Sequence, residues 1–262
     1  MKKLNFLTFV LIFPLFLYGQ LDSITIKKTL KEVNVNAIKA NKKTPVAFTD
    51  LKKEEIEKSN LGQDLPSLIS LTPSIVTTSD AGAGIGYSGF RIRGTDPSRI
   101  NVTINGIPLN DSESQGVWWV NMPDFASSLE NIQIQRGVGT STNGAAAFGA
   151  SINLKTIGIN KLAYAKSNNT IGSFNTLKNN VELGTGLINN KFTFDTRISK
   201  ITSDGYIDRA SSDLKSFYFQ GTYFNEKSIL KGIIFSGQER TYQAWNGVPL
   251  TYLDSNRTYN SY

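Results

Sequence analysis

The chain has 262 residues, 28 Lys+Arg against 21 Asp+Glu for a net charge of +7, and neither cysteine nor histidine. That composition excludes a disulfide framework, a thiol nucleophile and a thiolate metal site, and removes the commonest general base and transition-metal ligand, so we expect no enzyme, no metal and no cofactor. The basic residues are dispersed, with KANKK (Lys39–Lys43) followed by Asp50, Glu54, Glu55 and Glu57, which is not the patch or stripe of a nucleic-acid binder.

Residues 1–19, MKKLNFLTFVLIFPLFLYG, have a basic start, an apolar centre from Leu4 to Tyr18 and a small residue, Gly19, before the expected cleavage point. The apolar run is shorter than the ~20 residues a spanning helix needs, so it reads as a secretory signal peptide. Cleavage removes Lys2 and Lys3 and takes the net charge from +7 to +5. No cysteine lies near the cleavage point to carry a lipid. Residues 20–40 form a polar, β-prone N-terminal segment. Within it Leu30, Lys31, Glu32, Val33, Asn34, Val35, Asn36 and Ala37 make a short extended stretch, of the kind that can add to the edge of a partner's sheet.

Residues 41–157 predict a small mixed α/β domain. Leu51–Ser59 predicts a short charged helix with Asp50 as its N-cap. Leu61–Pro73 predicts a second helix, apolar at Leu65, Leu68, Ile69 and Leu71 and stopped by Pro73. Short strands are expected at Ile75–Thr78, Phe90–Arg93, Asn101–Ile104, Asn131–Gln135 and Ala150–Thr156, with Asn105-Gly106 as a hairpin turn and one helical turn at Pro123–Leu129.

Residues 158–262 change character. Phe192, Phe194, Thr196 and Ile198 alternate with Lys191, Thr193, Asp195, Arg197 and Ser199, and Phe217, Phe219 and Tyr223 share a face of the next aromatic-rich segment. Five strands are expected, at 161–171, 174–188, 190–202, 214–225 and 228–239, before what reads as the start of a large loop. Alternation alone fits a soluble sandwich as well as a membrane barrel. After a signal peptide and a mixed domain it points to antiparallel transmembrane strands of an incomplete barrel, because five strands cannot close and an open edge in lipid leaves backbone groups unpaired. The chain is therefore expected to be a fragment or a truncated product.

Gly84-Ile85-Gly86-Tyr87-Ser88-Gly89 matches G-x-G-x-x-G but runs into a strand, so it lacks the strand–turn–helix context of a nucleotide site. Gly82, Gly84, Gly86 and Tyr87 read instead as one flexible loop, and Gln115, Trp118 and Trp119 as a second, aromatic one. Either tryptophan could equally be packed in the domain. Arg91, Arg93 and Arg136 lie on or beside strands, where they can pair with acidic residues of a surrounding wall or stand as solvated edge charges.

DLPSLISLTPSIVT, the IRG of Ile92-Arg93-Gly94, VTINGIPLND and LENIQIQRGVGTSTNGAAAFGASINL together resemble the plug domain of TonB-dependent outer-membrane receptors of the Bacteroidetes type. Two positions depart from the usual pattern: Asn105 replaces an aspartate before its glycine, and Gly149-Ala150 replaces a glycine pair. Leu30–Ala37 resembles the TonB box. The resemblance implies a periplasmic N-terminus that TonB, with its inner-membrane energising complex, pairs with and pulls. It also implies a plug inside a lipid-embedded barrel and cargo bound on apical loops, here Gly82, Gly84, Gly86, Tyr87, Gln115, Trp118 and Trp119. The implied cargo is a ferric siderophore, with cobalamin, haem or an oligosaccharide or peptide as alternatives. With Leu30–Ala37 only about 10 residues beyond the expected cleavage point, the extra domain that saccharide-type or signalling receptors usually carry is not expected. A non-transporting surface binding protein is the reading from outside transport.

Overall fold

The computed structural model describes residues 39–139, 143–144 and 146–262. The signal peptide and Leu30–Ala37 lie outside the described residues. No helix among the described residues is long and apolar enough to cross a membrane.

The mixed domain is built on a five-stranded sheet in the order β1 (Ala47–Lys52), β6 (Leu129–Arg136), β7 (Ala150–Thr156), β4 (Ile100–Ile104), β5 (Ile107–Pro108). Only β4 and β7 run parallel. A separate hairpin joins β2 (Ile75–Ser79) to β3 (Ser88–Ile92). Asn105 and Gly106 both take left-handed φ, at 51° and 88°, and turn β4 into β5, which is the geometry that favours Asn-Gly in a tight hairpin. The strand alternation sorts two faces. Ile132, Ile134, Ile152, Leu154 and Val102 enter one core with Ile69, Phe90, Trp119 and Phe125. Gln133, Gln135, Ser151, Asn153, Asn101 and Thr103 are buried on the other face, where Thr103 donates to Asn153 at 2.9 Å.

Two predicted helices are shorter than expected. Helix α1 runs over Lys53–Ser59, not from Leu51, because residues 47–52 pair with β6. Its N-cap is Lys52, whose N–H donates to Glu55 at 2.8 Å, and Asp50 stays in the strand. Helix α2 spans only Leu65–Leu68. Gly62 at φ 123° precedes it, Ser74 at φ 69° turns the chain into β2, and Leu71 is 96% exposed rather than on an apolar face. Pro73 also bars Thr72 from helical backbone.

The second half is an antiparallel meander: β8 (Tyr164–Gly172), β9 (Thr176–Gly184), β10 (Phe192–Ser203), β11 (Ser212–Phe224) and β12 (Ile229–Thr241), each paired with its sequence neighbour. Its inner face is polar and buried under the mixed domain, with Thr193, Asp195, Arg197, Ser199, Gln220 and Thr222 pointing inward. Its outer face is apolar and exposed at Val181, Phe194, Ile198, Phe217 and Ile234. A small mixed domain followed by antiparallel strands is the fold class expected from the sequence.

Candidate functional site

The mixed domain meets the inner wall at Asp124. It opens the 3-10 turn Phe125–Ser128 and holds left-handed backbone at φ 53°, a conformation that Asp and Asn tolerate better than other side-chain-bearing residues. Its carboxylate is fully buried and takes Lys178 Nζ of β9 at 2.7 Å and Arg197 Nη1 of β10 at 3.3 Å. Asn180 of β9 donates at 2.6 Å, Asn60 at 3.1 Å and Ser127 at 2.6 Å. Arg197 also donates from Nε to Ser128 and from Nη1 to Ser216, both at 2.9 Å. Burial by itself pushes the Asp124 carboxyl up, but Lys178 and Arg197, with hydrogen bonds from Lys178 and Ser127, outweigh it and hold the group well below the usual carboxylate range. A buried Glu182 stands opposite Arg197 in the β9–β10 register, so two carboxylates face two cations on this wall. Removing one member of such a group strands a buried charge at a cost of about 3–5 kcal/mol.

A second set of contacts sits near the exit from the mixed domain. Thr156 Oγ1 and Tyr218 Oη both donate to Gln220 Oε1 at 2.8 Å, and Gln220 Nε2 donates to the Ile157 carbonyl at 2.8 Å. Phe125 packs edge-on to Tyr218 at 6.1 Å and tilted on Phe235 at 5.2 Å. Hydrogen bonds and rings together make the wall continuous with the core.

The four loop residues Gly82, Gly84, Gly86 and Tyr87 face different neighbours: Gly82 lies against the 204–211 connection between β10 and β11, Gly84 against Ser67 of α2, Gly86 against Ser212 of β11 and Tyr87 against Trp245. The backbone N–H groups of Tyr206 and Ile207 donate to the Ala81 carbonyl at 2.8 and 3.2 Å. A side chain at Gly82 would meet Tyr206 at 3.0 Å, and one at Gly86 would meet Ser212 Oγ at 2.8 Å. Both glycines have positive φ, 72° and 93°, so glycine is required there for close approach as well as for backbone conformation. Tyr87 lies edge-on to Trp245 of the segment after β12 at 6.1 Å. Gln115 is at the exposed tip of the 111–116 turn with φ 57°.

The structure separates the tryptophan pair. Trp118 is 56% exposed, whereas Trp119 is a core residue against Phe90 at 5.8 Å. The ligand-contact role expected of Trp119 is therefore corrected to packing. The contacts described for the arginines are within the mixed domain: Arg91 pairs with Asp96 at 3.3 Å, Arg136 donates to Thr49 at 2.6 Å, and Arg93 lies beside Gly137. Sequence reasoning missed Asp124, Lys178 and Arg197 as a group. The signal available was the polar inward set of β10, which needs polar partners once covered.

Beneath the 80–87 loop, Asp64 is 4% exposed and accepts from Ser88 Oγ at 2.7 Å. Burial raises its carboxyl to about 7; the Ser88 hydrogen bond lowers it, the charge of Glu239 raises it further and the Gly86 N–H lowers it.

Residues 40–151 match the model of the TonB-dependent Receptor Plug Domain. Over 109 residues the chain is 32% identical to the vitamin B12 transporter BtuB of Vibrio vulnificus (strain YJ016), covering 42% of this chain and 17% of that one. Among solved structures it resembles the siderophore receptor PirA from Acinetobacter baumannii, with a TM-score of 0.57 at 16% identity over 76% of this chain and 32% of that one. It also resembles P. aeruginosa FpvA bound to heterologous pyoverdines, with a TM-score of 0.62 at 14% identity over 75% and 26%. At those identities the likeness to solved structures is one of fold. The chain spans 17% of the length of the curated relative and 32% and 26% of the two solved chains.

Proposed function

We propose, from the premise that residues 40–151 are a TonB-dependent receptor plug domain set against the first strands of its barrel, that the whole protein imports a scarce nutrient by active transport across the outer membrane, with a ferric siderophore as cargo. The observation that carries this reading is the Asp124 group. Two inward cations of a polar wall, paired with a buried carboxylate of the covering domain, are what a plug closing a lumen requires, and the apolar outer face suits lipid. Leu30–Ala37 then pairs with TonB on the periplasmic side, and the inner-membrane energising complex supplies the work. Cargo settles on the 80–87 loop and the exposed Gln115 and Trp118, and Arg93 and Arg136 seat the plug against parts of the wall beyond the five strands.

A second cargo, cobalamin, is favoured by the 32% identity to a vitamin B12 transporter, which falls in a stretch covering 42% of this chain. One experiment separates the two. Radioiron-loaded siderophores and radiocobalt cyanocobalamin are offered to cells making the receptor with or without residues 30–37. Import of a ferric chelate that stops on deletion supports the siderophore reading. Import of cyanocobalamin alone replaces it, and import unaffected by the deletion refutes energised transport.

A further inference from the structure

The outward positions of the wall strands carry their charge at one end. From Phe192 to Ile198 on β10 and from Phe217 to Tyr223 on β11 the outward side chains are uncharged. Beyond them come Lys200 on β10, Lys215 and Asp213 on β11 and Arg240 on β12. Lys200 and Lys215 are cross-strand partners in direct register, as are Asp213 and Arg240. Among the described residues Asp213 pairs with Lys200 at 3.7 Å, and no carboxylate pairs with Lys215 or Arg240. Cations therefore outnumber carboxylates here. Like charges directly opposite each other on a sheet repel, so placing Lys200 against Lys215 is unfavourable unless an anion lies between them. Strands β10 and β11 each have a neighbour on both sides, so this pairing belongs to the interior of the sheet and not to an open edge.

The basic row borders the apolar belt. Ile198 and Phe217, also cross-strand partners, lie two residues along from Lys200 and Lys215, ~7 Å down the strands. A soluble anion placed here would meet charge alone. A lipid would meet the cations with its phosphate and Ile198 and Phe217 with its acyl chains. The row also lies at the end of the wall where residues 204–211 connect β10 to β11 and bond to Ala81 of the 80–87 loop.

We propose that Lys200 and Lys215, with Arg240 beside Asp213, hold the phosphate of an anionic lipid from the leaflet level with the 80–87 loop. An ammonium on each side of one phosphate turns a repelling pair into two charge-assisted hydrogen bonds. The proposal rests on the outer face being a lipid contact, and adds which lipid the wall selects and where.

The chain has no cysteine, so a single introduced one reports locally. Ser236→Cys lies outward on β12, opposite Phe217, and is labelled with bimane in the whole receptor in phosphatidylcholine vesicles. Two quenchers are added in turn, phosphatidic acid and phosphatidylcholine, each spin-labelled on an acyl chain. Phosphatidic acid is expected to reach half-quenching at a severalfold lower mole fraction. Lys215→Gln, which leaves the Lys200–Asp213 pair in place, should bring the two lipids level, and Lys215→Arg should keep the preference. Lys191→Gln with Lys227→Gln removes two charges from the turns at the opposite end and should leave the preference intact. In phosphatidylcholine alone neither Lys200 nor Lys215 has an anionic lipid to hold, and neither is expected to affect stability there. Equal quenching by both lipids in the parent, or a preference that survives Lys215→Gln, overturns the site. A preference lost with Lys191 and Lys227 overturns it as diffuse attraction to net charge, and displacement by soluble glycerol phosphate overturns the lipid as its occupant. If neither lipid quenches the label, the outer face does not meet lipid, and the barrel reading fails along with the site.

Discussion

Asp124 ties the plug to two strands of this wall through one side chain. Its left-handed backbone aims the carboxylate at two cations from different strands, so neither β9 nor β10 can shift without losing a partner. Asp124→Asn keeps the shape and removes the charge, leaving Lys178 buried without its carboxylate partner and Arg197 with only Glu182 opposite. We expect a loss of about 3–5 kcal/mol in plug seating, read as faster hydrogen exchange across residues 119–136. Adding Lys178→Gln should recover part of the loss, because the two sites share one interaction. Asp64 behaves in the opposite sense. Its folded carboxyl is raised from 3.8 to about 7, chiefly by burial, with Glu239, Tyr87 and Asp80 as the titratable neighbours of its loop. Between those two values the folded state binds a proton that the unfolded state has released. The stabilisation is thus complete below pH 3.8 and is lost as pH climbs to about 7. Asp64→Asn imitates the protonated form. Protection of β3 amides should fall from pH 5 to pH 8 in the parent and stay nearly level in the variant; parallel pH profiles would refute the assignment.

At the scale of elements, the strands were legible and the helices were not. Alternation placed β2, β3, β4, β6, β7 and all five wall strands within a few residues, because a two-residue period with one buried face fixes register strongly. Residues 47–52 and 61–73 were misread because their fate is set elsewhere. Phe48 and Leu51 pair with Gln135 and Ile132, more than 80 positions away, and Asp64 N–H is taken by Gly84. The same distance hid the Asp124 group, whose members come from three elements that no spacing rule connects. It also hid the anchoring of the N-terminal segment. Ala40 exchanges two hydrogen bonds with the Gln133 side chain, at 2.7 and 2.9 Å, and Gln133 donates a third at 3.0 Å to Asp50. This amide stands in for a sheet partner that residue 40 lacks. Gln133→Leu leaves the Ala40 N–H and carbonyl without that partner, at a cost of about 1–3 kcal/mol. Limited proteolysis should then cut between Lys39 and Val46 several times faster than in the parent, while the β6–β7 amides keep their protection. Unchanged cleavage would mean that β1 alone holds the segment.

For the whole molecule, the decisive question is which solvent the outer face of the wall meets. Val181, Ile198 and Phe217 stand in register on three adjacent strands, Phe194 and Phe219 stack at 6.2 Å, and Phe192 meets Tyr223 at 5.1 Å where the row ends. On the other side of that row Lys200 faces Asp213 at 3.7 Å. An outward apolar belt with aromatics where it ends is a feature of a strand wall in a bilayer. The same pattern on a water-exposed sheet would be an unprotected patch. The two solvents give different energies for one substitution. Ile198→Arg puts a charge in the last apolar row, beside the rim, and should cost about 1–2 kcal/mol in a bilayer, between the midplane and interfacial values, but should stay within about 0.5 kcal/mol where the face meets water. Lys200→Leu, two residues along at the rim, is the matched control and should change little in either case. The measurement is the urea midpoint of folding into lipid vesicles, compared with that in an aqueous buffer without lipid. A penalty for Ile198→Arg that appears only in vesicles, alongside an unchanged Lys200→Leu, makes the face a lipid contact. Equal behaviour of the two variants would return the wall to the soluble sandwich that alternation by itself allows. In that case the polar inner face would have no lumen to line, and the Asp124 group would be an ordinary buried ion pair.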